Sequence, residues 1–152
     1  MSTHLKYWLP AILIAVLISA FSTKYFSGEN TARVIFPILR WLYPGITRHT
    51  LHLLHFLIRK AAHITEFATL SIAVFHGVRG ERSGWRIEWA LWTLVIAVVY
   101  AGMDEWHQSF VPLREPRFRD VIIDGCGALL AQVAVWIYAQ MHRSSAGATK
   151  LR

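Results

Sequence analysis

The chain has 152 residues, which is enough for one domain of ordinary size and too few for two. Hydrophobic residues make up 55% and charged residues 16%, whereas water-soluble domains carry about a quarter charged residues, so the composition argues against a domain bathed only in water. The net charge of +7 comes from basic residues that stand singly or in pairs beside apolar stretches, which favours anionic lipid headgroups over nucleic acid as the partner.

The first predicted element is an apolar helix over residues 7–21. We interpret it as an uncleaved transmembrane helix rather than a signal peptide, because Ile18 fits a small-residue cleavage pattern poorly and more apolar segments follow.

After a polar stretch, residues 31–43 repeat apolar side chains at helical spacing. They are too few to cross a bilayer of about 30 Å, so we predict an interfacial or re-entrant helix that Pro37 bends or interrupts.

Three longer segments follow. Residues 50–78 are predicted to form one long helix or two joined pieces, amphipathic at first and then apolar enough to cross a membrane. A short charged loop over residues 80–86 leads to a spanning helix over residues 88–103. Residues 104–119 are predicted to be a polar connection. Residues 120–141 are the last spanning segment, and their glycines and alanines suit close helix packing.

These segments predict an all-α fold, a polytopic membrane helix bundle of about four transmembrane helices with additional interfacial or amphipathic helices. Residues 1–141 would form a single membrane domain, and residues 142–152 a polar, frayed C-terminal tail. Four spans place both termini on one side of the membrane. Because basic residues are divided almost evenly between the two sides, the positive-inside rule does not decide the orientation.

Polar residues concentrate in three clusters beside the predicted spans. In the first, Arg59, His63 and Glu66 share one face of a helix, with Lys60 beside them. The second cluster follows the third span directly and consists of Asp104, Glu105, His107 and Gln108. Asp104, His107 and Gln108 share a face if the helix continues. The third consists of Arg114, Asp120 and Asp124, with Gly125 and Gly127 after them.

The four-span topology places all three clusters at the same membrane boundary. Ionisable residues beside spans are costly and usually face the bundle interior, so we predict a polar pocket there. Imidazole and carboxylate groups suit acid–base catalysis, while guanidinium, ammonium and amide groups suit anion binding. The catalytic candidates are His63, Glu66, Asp104, Glu105 and His107. The substrate-binding candidates are Arg59, Lys60, Gln108, Arg114, Asp120 and Asp124.

Simpler readings of the same residues are open. Arg59 with Glu66, or Arg114 with either aspartate of the last helix, would also make structural ion pairs. His63 with Glu66, or His107 with Asp104, would suit a divalent metal ion, but the pattern is not the His-Glu-x-x-His of metalloproteases. We therefore predict no metal ion and no cofactor. Ser109 is a nucleophile candidate on proximity alone.

The three clusters, in this order and spacing, resemble the VanZ-like family of small bacterial membrane proteins, named for a teicoplanin-resistance protein. The matching elements are Arg59-Lys60-x-x-His63-x-x-Glu66-Phe67, then Asp104-Glu105-x-His107-Gln108-x-Phe110-x-Pro112-x-Arg114, then Asp120-x-x-x-Asp124 with Gly125 and Gly127. They cover residues 55–131. Where the family pattern leads us to expect Pro-Gly-Arg, this chain has Pro112-Leu113-Arg114. The resemblance implies a multi-pass protein of the bacterial cytoplasmic (inner) membrane and a link to the cell envelope or to glycopeptide resistance.

Three functions fit these features. A membrane enzyme would act on an amphiphilic envelope ligand, such as a lipid-linked or cell-wall precursor, with His63 or His107 as acid or base and basic residues on its phosphate or carboxylate. A non-catalytic protein would bind such a ligand, or a glycopeptide, in the same pocket. In a structural or partner-binding subunit, the polar residues would be internal ion pairs. Membrane lipids are the expected partners in each case, and nucleic acid is not.

Overall fold

The computed structural model describes residues 4–114 and 116–149, and this part of the chain is all-helical, with five α-helices, one short 3-10 turn and no strand. The helices are α1 (Leu5–Phe21), α2 (Gly28–Leu42), α3 (Arg48–Arg79), α4 (Ile87–Gln108) and α5 (Phe118–Thr149), and the 3-10 turn (Lys24–Phe26) lies between α1 and α2. The all-α prediction is therefore confirmed.

Capping side chains set where two of the helices begin. The Ser27 hydroxyl accepts the N–H of Asn30, so α2 starts at Gly28, three residues earlier than the apolar pattern indicated. The Thr47 hydroxyl accepts the N–H of Thr50 in the same way at the start of α3. Both hydroxyls satisfy an N–H group that has no partner inside its helix.

The predicted interruption at Pro37 is wrong, because α2 is one continuous helix from Gly28 to Leu42. A proline removes a single main-chain hydrogen bond, and the bonds on either side of it hold this helix together. None of the described residues of α2 is buried, and large apolar side chains such as Ile38 and Trp41 are exposed along it. This amphipathic helix lies on the outside of the bundle, which agrees with an interfacial position.

Residues 50–78 belong to one continuous helix, α3, which is the first of the two predicted alternatives. Two segment boundaries differ from the prediction. Residues 104–108 belong to α4, so the connection between α4 and α5 spans only residues 109–117. α5 continues to Thr149, and the tail predicted to fray after residue 141 is helical over that range. Hydropathy falls at each of these points, but no proline is present to end the main-chain hydrogen bonding.

α3 is the central helix and packs against α1, α4 and α5, while α5 also packs against α4. Small side chains permit this close approach: Ala97, Ala101 and Ala128 are fully buried. The tightest point is at Gly127 of α5, where an added Cβ atom would lie 2.5 Å from the main-chain oxygen of Ile64 in α3. α3 and α5 are thus in backbone contact next to the polar clusters.

Buried hydrogen bonds also connect the helices. Gln132 of α5 donates to the Ser71 hydroxyl of α3 at 2.9 Å, and that hydroxyl donates to the main-chain oxygen of Ala128 at 3.0 Å. Tyr100 of α4 lies 2.8 Å from the Ser19 hydroxyl of α1. Hydrogen bonds between helices hold a bundle together where an apolar surrounding offers no water as an alternative partner.

Two of the described helices are long and apolar enough to cross a membrane: Ile87–Gln108 and Phe118–His142. Only 33% of the apolar stretch in the first and 28% of that in the second are buried inside the bundle, so both present apolar surface outward. α1 is apolar but spans about 25 Å at 1.5 Å per residue, shorter than a typical hydrocarbon core. Of the four transmembrane helices predicted, two meet the criteria of length and composition.

Candidate functional site

The three polar clusters meet at one end of the bundle. The end of α1, the end of α4 and the start of α5 lie around the middle of α3, because α1 and α4 run antiparallel to α3 and α5 runs parallel to it. Hydrogen bonds and ion pairs there join residues that are 60 to 93 positions apart in the chain, through side chains or, for Arg114, to a main-chain oxygen. Ten of the eleven predicted residues lie in this region, and His107 is the exception.

Two ion pairs connect α3 to α5. Lys60 pairs with Asp120, and Nδ1 of His63 lies 3.1 Å from Oδ1 of Asp124. These are not the pairs that the sequence suggested: Asp124, only 1% exposed, takes His63 as its partner, and neither aspartate pairs with Arg114 in the described part of the chain. An imidazole held through Nδ1 keeps a fixed orientation and leaves Nε2 for another partner.

Asp104 connects α4 to the end of α1. Its Oδ1 accepts the Ser22 hydroxyl at 2.6 Å, and its Oδ2 accepts the Gln108 amide at 2.8 Å. All three side chains are buried. The two hydrogen bonds, rather than a basic side chain, stabilise the buried carboxylate. Asp104 and Gln108 thus position the helix ends around the site.

Glu105 anchors the connection between α4 and α5. It is buried, and its carboxylate accepts the main-chain N–H of Arg117 just before α5 begins. This bond draws the connection back over the end of the bundle. Glu105, which was predicted to be catalytic, therefore also holds the connecting loop in place.

A tight turn presents Arg114 to the site. The N–H of Arg114 donates to the main-chain oxygen of Val111 at 3.2 Å, and Pro112 and Leu113 occupy the two central positions of the turn. Leu113 has a φ of 66°, the left-handed conformation that glycine adopts most easily. The Pro-Gly-Arg turn expected from the resemblance therefore forms with leucine in the glycine position.

The Arg114 guanidinium caps the C-terminus of α1. It donates to the main-chain oxygens of Phe21 and Thr23, the latter at 3.1 Å. A cation at this position satisfies carbonyls that have no partner inside the helix and complements its dipole. Burial is the largest influence on the pKa of Arg114 and lowers it, and the positive charge of Arg59 lowers it further. An anion between the two guanidinium groups would relieve that repulsion.

Arg59 holds the segment between α1 and α2. Its guanidinium donates to the main-chain oxygen of Phe26 at 3.0 Å and to the Thr31 hydroxyl at 3.3 Å. Thr31 also contacts Nε2 of His55 at 3.0 Å, so α2 is fastened to α3 by polar contacts beside the site. Arg59 is not paired with Glu66, as one reading of the sequence suggested.

His107 lies apart from the other ten predicted residues. α4 does continue through the second cluster, but its buried face is centred on Ala101, Asp104 and Gln108, and His107 is exposed. At 100° per residue, His107 lies about 100° from the middle of that face. Ser109 is exposed as well and donates to the main-chain oxygen of Trp106, which leaves no support for a nucleophilic role.

Two cavities adjoin this end of the bundle, and Arg59 and Arg114 line both. The larger, of about 400 Å³, we call the polar cavity; Lys60, Gln108 and Asp120 also line it. The smaller, of about 220 Å³, we call the apolar cavity. Its apolar lining consists of Phe21, Phe26, Ile35, Ile58 and Ala62, and its polar lining of Thr31, His63 and Glu66 with the two arginines.

A cavity of about 690 Å³ lies at the opposite end of the bundle, where Trp8, Arg79, Arg82 and Trp92 line it. Arg82 donates there to the main-chain oxygens of Val78 and Arg79, closing the end of α3. None of the residues of the three clusters lines this cavity. Although it is larger, it is therefore not the candidate functional site.

Sequence reasoning missed Ser22 and Thr31, which contact Asp104 and Arg59. Both stand in or beside the polar stretch between the first two helices, and no local spacing links them to partners elsewhere in the chain. Among the described residues, no three His, Cys, Asp or Glu side chains form a group that could hold a metal ion.

Comparison with known proteins gives one match. Residues 7–139 match the protein-family model described as VanZ/LLP1, which covers most of the chain and all three clusters. No curated protein and no solved structure matches the chain.

Proposed function

The chain belongs to the VanZ/LLP1 family, and from this membership and the geometry of the site we propose that it is a multi-pass protein of the bacterial cytoplasmic membrane that binds an amphiphilic cell-envelope ligand. The ligand's phosphate or carboxylate would lie between Arg59 and Arg114, and its apolar chain along the apolar cavity. The family name connects these proteins with teicoplanin resistance. A lipid-linked cell-wall precursor and a glycopeptide are therefore both candidates for this amphiphilic ligand.

The shared lining of the two cavities is the observation that carries this proposal. Arg59 and Arg114 stand where a polar cavity adjoins an apolar one, and an amphiphile has the same division. Guanidinium groups bind phosphate and carboxylate oxygens in pairs. Both arginines donate to main-chain oxygens that hold them in place, so little side-chain entropy is lost when a ligand binds.

Binding of a short-chain anionic lipid tests the proposal. Dihexanoyl phosphatidylglycerol is titrated into the purified protein in a neutral detergent, and binding is measured by calorimetry. Arg59→Gln is expected to weaken binding about tenfold, because one charge-assisted hydrogen bond is lost. Arg33→Gln is the matched control, since Arg33 is exposed on α2 and pairs with Glu29. Equal binding by both variants, or none by the wild type, would reject the proposal.

Acid–base catalysis on the bound amphiphile is a second candidate function. The contact between His63 Nδ1 and Asp124 supports it, because this arrangement orients an imidazole as a general base or acid. His63 also lines the apolar cavity with Glu66. On this reading, wild-type protein converts a component of an envelope lipid extract into a product of different mass, and His63→Gln does not. Identical mass spectra after incubation with either protein would leave binding alone as the function.

The third function, a structural subunit, accounts for part of the polar set. Lys60 with Asp120, and Asp104 with Ser22 and Gln108, form closed contacts that hold helices together. Glu66 does not fit that description. It lines the apolar cavity and has neither a hydrogen bond nor an ion pair with another described residue.

A further inference from the structure

Glu66 has an unusual environment for a carboxylate. It lies on α3 one turn after His63, is partly buried, and lines the apolar cavity beside Phe21 and Ile58. Within the described part of the chain it forms no hydrogen bond and no ion pair. A carboxylate that leaves water for an apolar surrounding needs a cation or hydrogen-bond donors in exchange.

None of the described basic side chains near Glu66 forms an ion pair with it. The four basic side chains nearest in the site are Arg59, Lys60, His63 and Arg114. Lys60 and His63 pair with the two aspartates at the start of α5. The two guanidinium groups donate to main-chain oxygens around the 3-10 turn and the end of α1. A cation that neutralises the Glu66 carboxylate would therefore come from a bound ligand.

We infer that the ligand's head group carries an ammonium group that pairs with Glu66, next to the phosphate or carboxylate held by Arg59 and Arg114. This inference rests on the proposed function and narrows its ligand to a zwitterionic amphiphile. All three side chains line the same cavity of about 220 Å³, so one compact head group can contact them together. An amine beside a phosphate, as in an ethanolamine phospholipid, has this chemistry.

The charge balance of the site also favours a zwitterion. The linings of the two cavities contain three carboxylates, Glu29, Glu66 and Asp120, beside the basic side chains of Arg59, Lys60, Arg114 and Arg117. A ligand with only negative charge would meet Arg59 and Arg114 favourably and Glu66 unfavourably. A ligand with both charges would add a favourable contact at each of the three residues.

The test compares two lipids that differ in the ammonium group. Dihexanoyl phosphatidylethanolamine and dihexanoyl phosphatidylglycerol are titrated separately into wild-type protein and into Glu66→Gln. The wild type is expected to bind the ethanolamine lipid about tenfold more tightly, because a charge-assisted hydrogen bond is worth that factor. Glu66→Gln is expected to lose this preference and to bind phosphatidylglycerol more tightly than the wild type does, because a negative charge beside the lipid phosphate is removed. This binding also shows that the variant is folded.

Controls separate this inference from the proposed function. Glu88→Gln changes an exposed carboxylate at the opposite end of the bundle and should keep the preference. Equal affinity of the wild type for both lipids, or an unchanged preference in Glu66→Gln, would overturn the ammonium assignment while leaving the amphiphile proposal in place. Glycerophosphoethanolamine, which lacks acyl chains, should compete weakly. If it competed as well as the lipid, the proposed amphiphile would be wrong and the pairing of ammonium with Glu66 would stand.

Discussion

Replacing Gly127 with alanine is expected to lower the melting temperature of the detergent-solubilised protein by about 5 °C or more, corresponding to about 2 kcal/mol. An added Cβ atom would lie 2.5 Å from the main-chain oxygen of Ile64 and 3.0 Å from its Cα atom. Neither is the end of a flexible side chain, so α3 and α5 must move apart. His63 and Asp124 lie beside this contact, and their hydrogen bond should lengthen as the helices separate.

Gly125→Ala is the matched control for this substitution. It lies two residues away on α5, and its added Cβ atom would be 3.5 Å from a side-chain atom of Val98, an ordinary van der Waals contact. Its melting temperature should stay within about 1 °C of the wild type or rise, since alanine is the better helix former. Equal melting temperatures for the two variants would show that α3 and α5 do not approach closely at Ile64.

Arg114→Gln is expected to weaken binding of the short-chain phospholipid by about a hundredfold, because one side chain holds both the ligand and the end of α1. The guanidinium donates to the main-chain oxygens of Phe21 and Thr23, and it lines both cavities. Glutamine removes the charge and most of the donors. The melting temperature should fall as well, because the terminal carbonyls of α1 lose their cap.

Two further variants show which property of Arg114 matters. Arg114→Lys keeps the charge but concentrates its donors on one nitrogen, so an intermediate loss of binding is expected. Arg119→Gln removes a positive charge from an exposed position at the start of α5 and should bind like the wild type. Equal losses for Arg114→Gln and Arg119→Gln would assign the effect to general surface charge instead of the Arg114 contacts.

Helical periodicity predicted where the helices lie better than it predicted where they end. Because the prediction followed apolar side chains, the predicted third span ended at Met103, where polar residues begin. The main chain continues as a helix to Gln108, because Asp104 and Gln108 find polar partners inside the bundle. Pro37 illustrates the converse: a residue that usually breaks helices lies within a continuous one.

The meeting of the three clusters was predictable from connectivity, but the partner of each residue was not. His63 contacts Asp124 rather than Glu66, because the rotation of α3 against α5 decides which side chains face each other. That rotation depends on backbone contact at Gly127, which is not visible in the spacing of polar residues. The exposed position of His107 was not predictable for the same reason, since it depends on which face of α4 is buried.

The central claim is that an amphiphile lies in the apolar cavity, between Arg59, Arg114 and Ile35 of α2. Photo-crosslinking with a phosphatidylethanolamine that carries a diazirine in its acyl chain, followed by mass spectrometric mapping, tests it most directly. The label should concentrate on Phe26, Ile35 and Ile58, which line the apolar cavity, and should decrease in Arg114→Gln. Label spread evenly over outward-facing residues such as Leu91 and Val95, unchanged in the variant, would contradict the account.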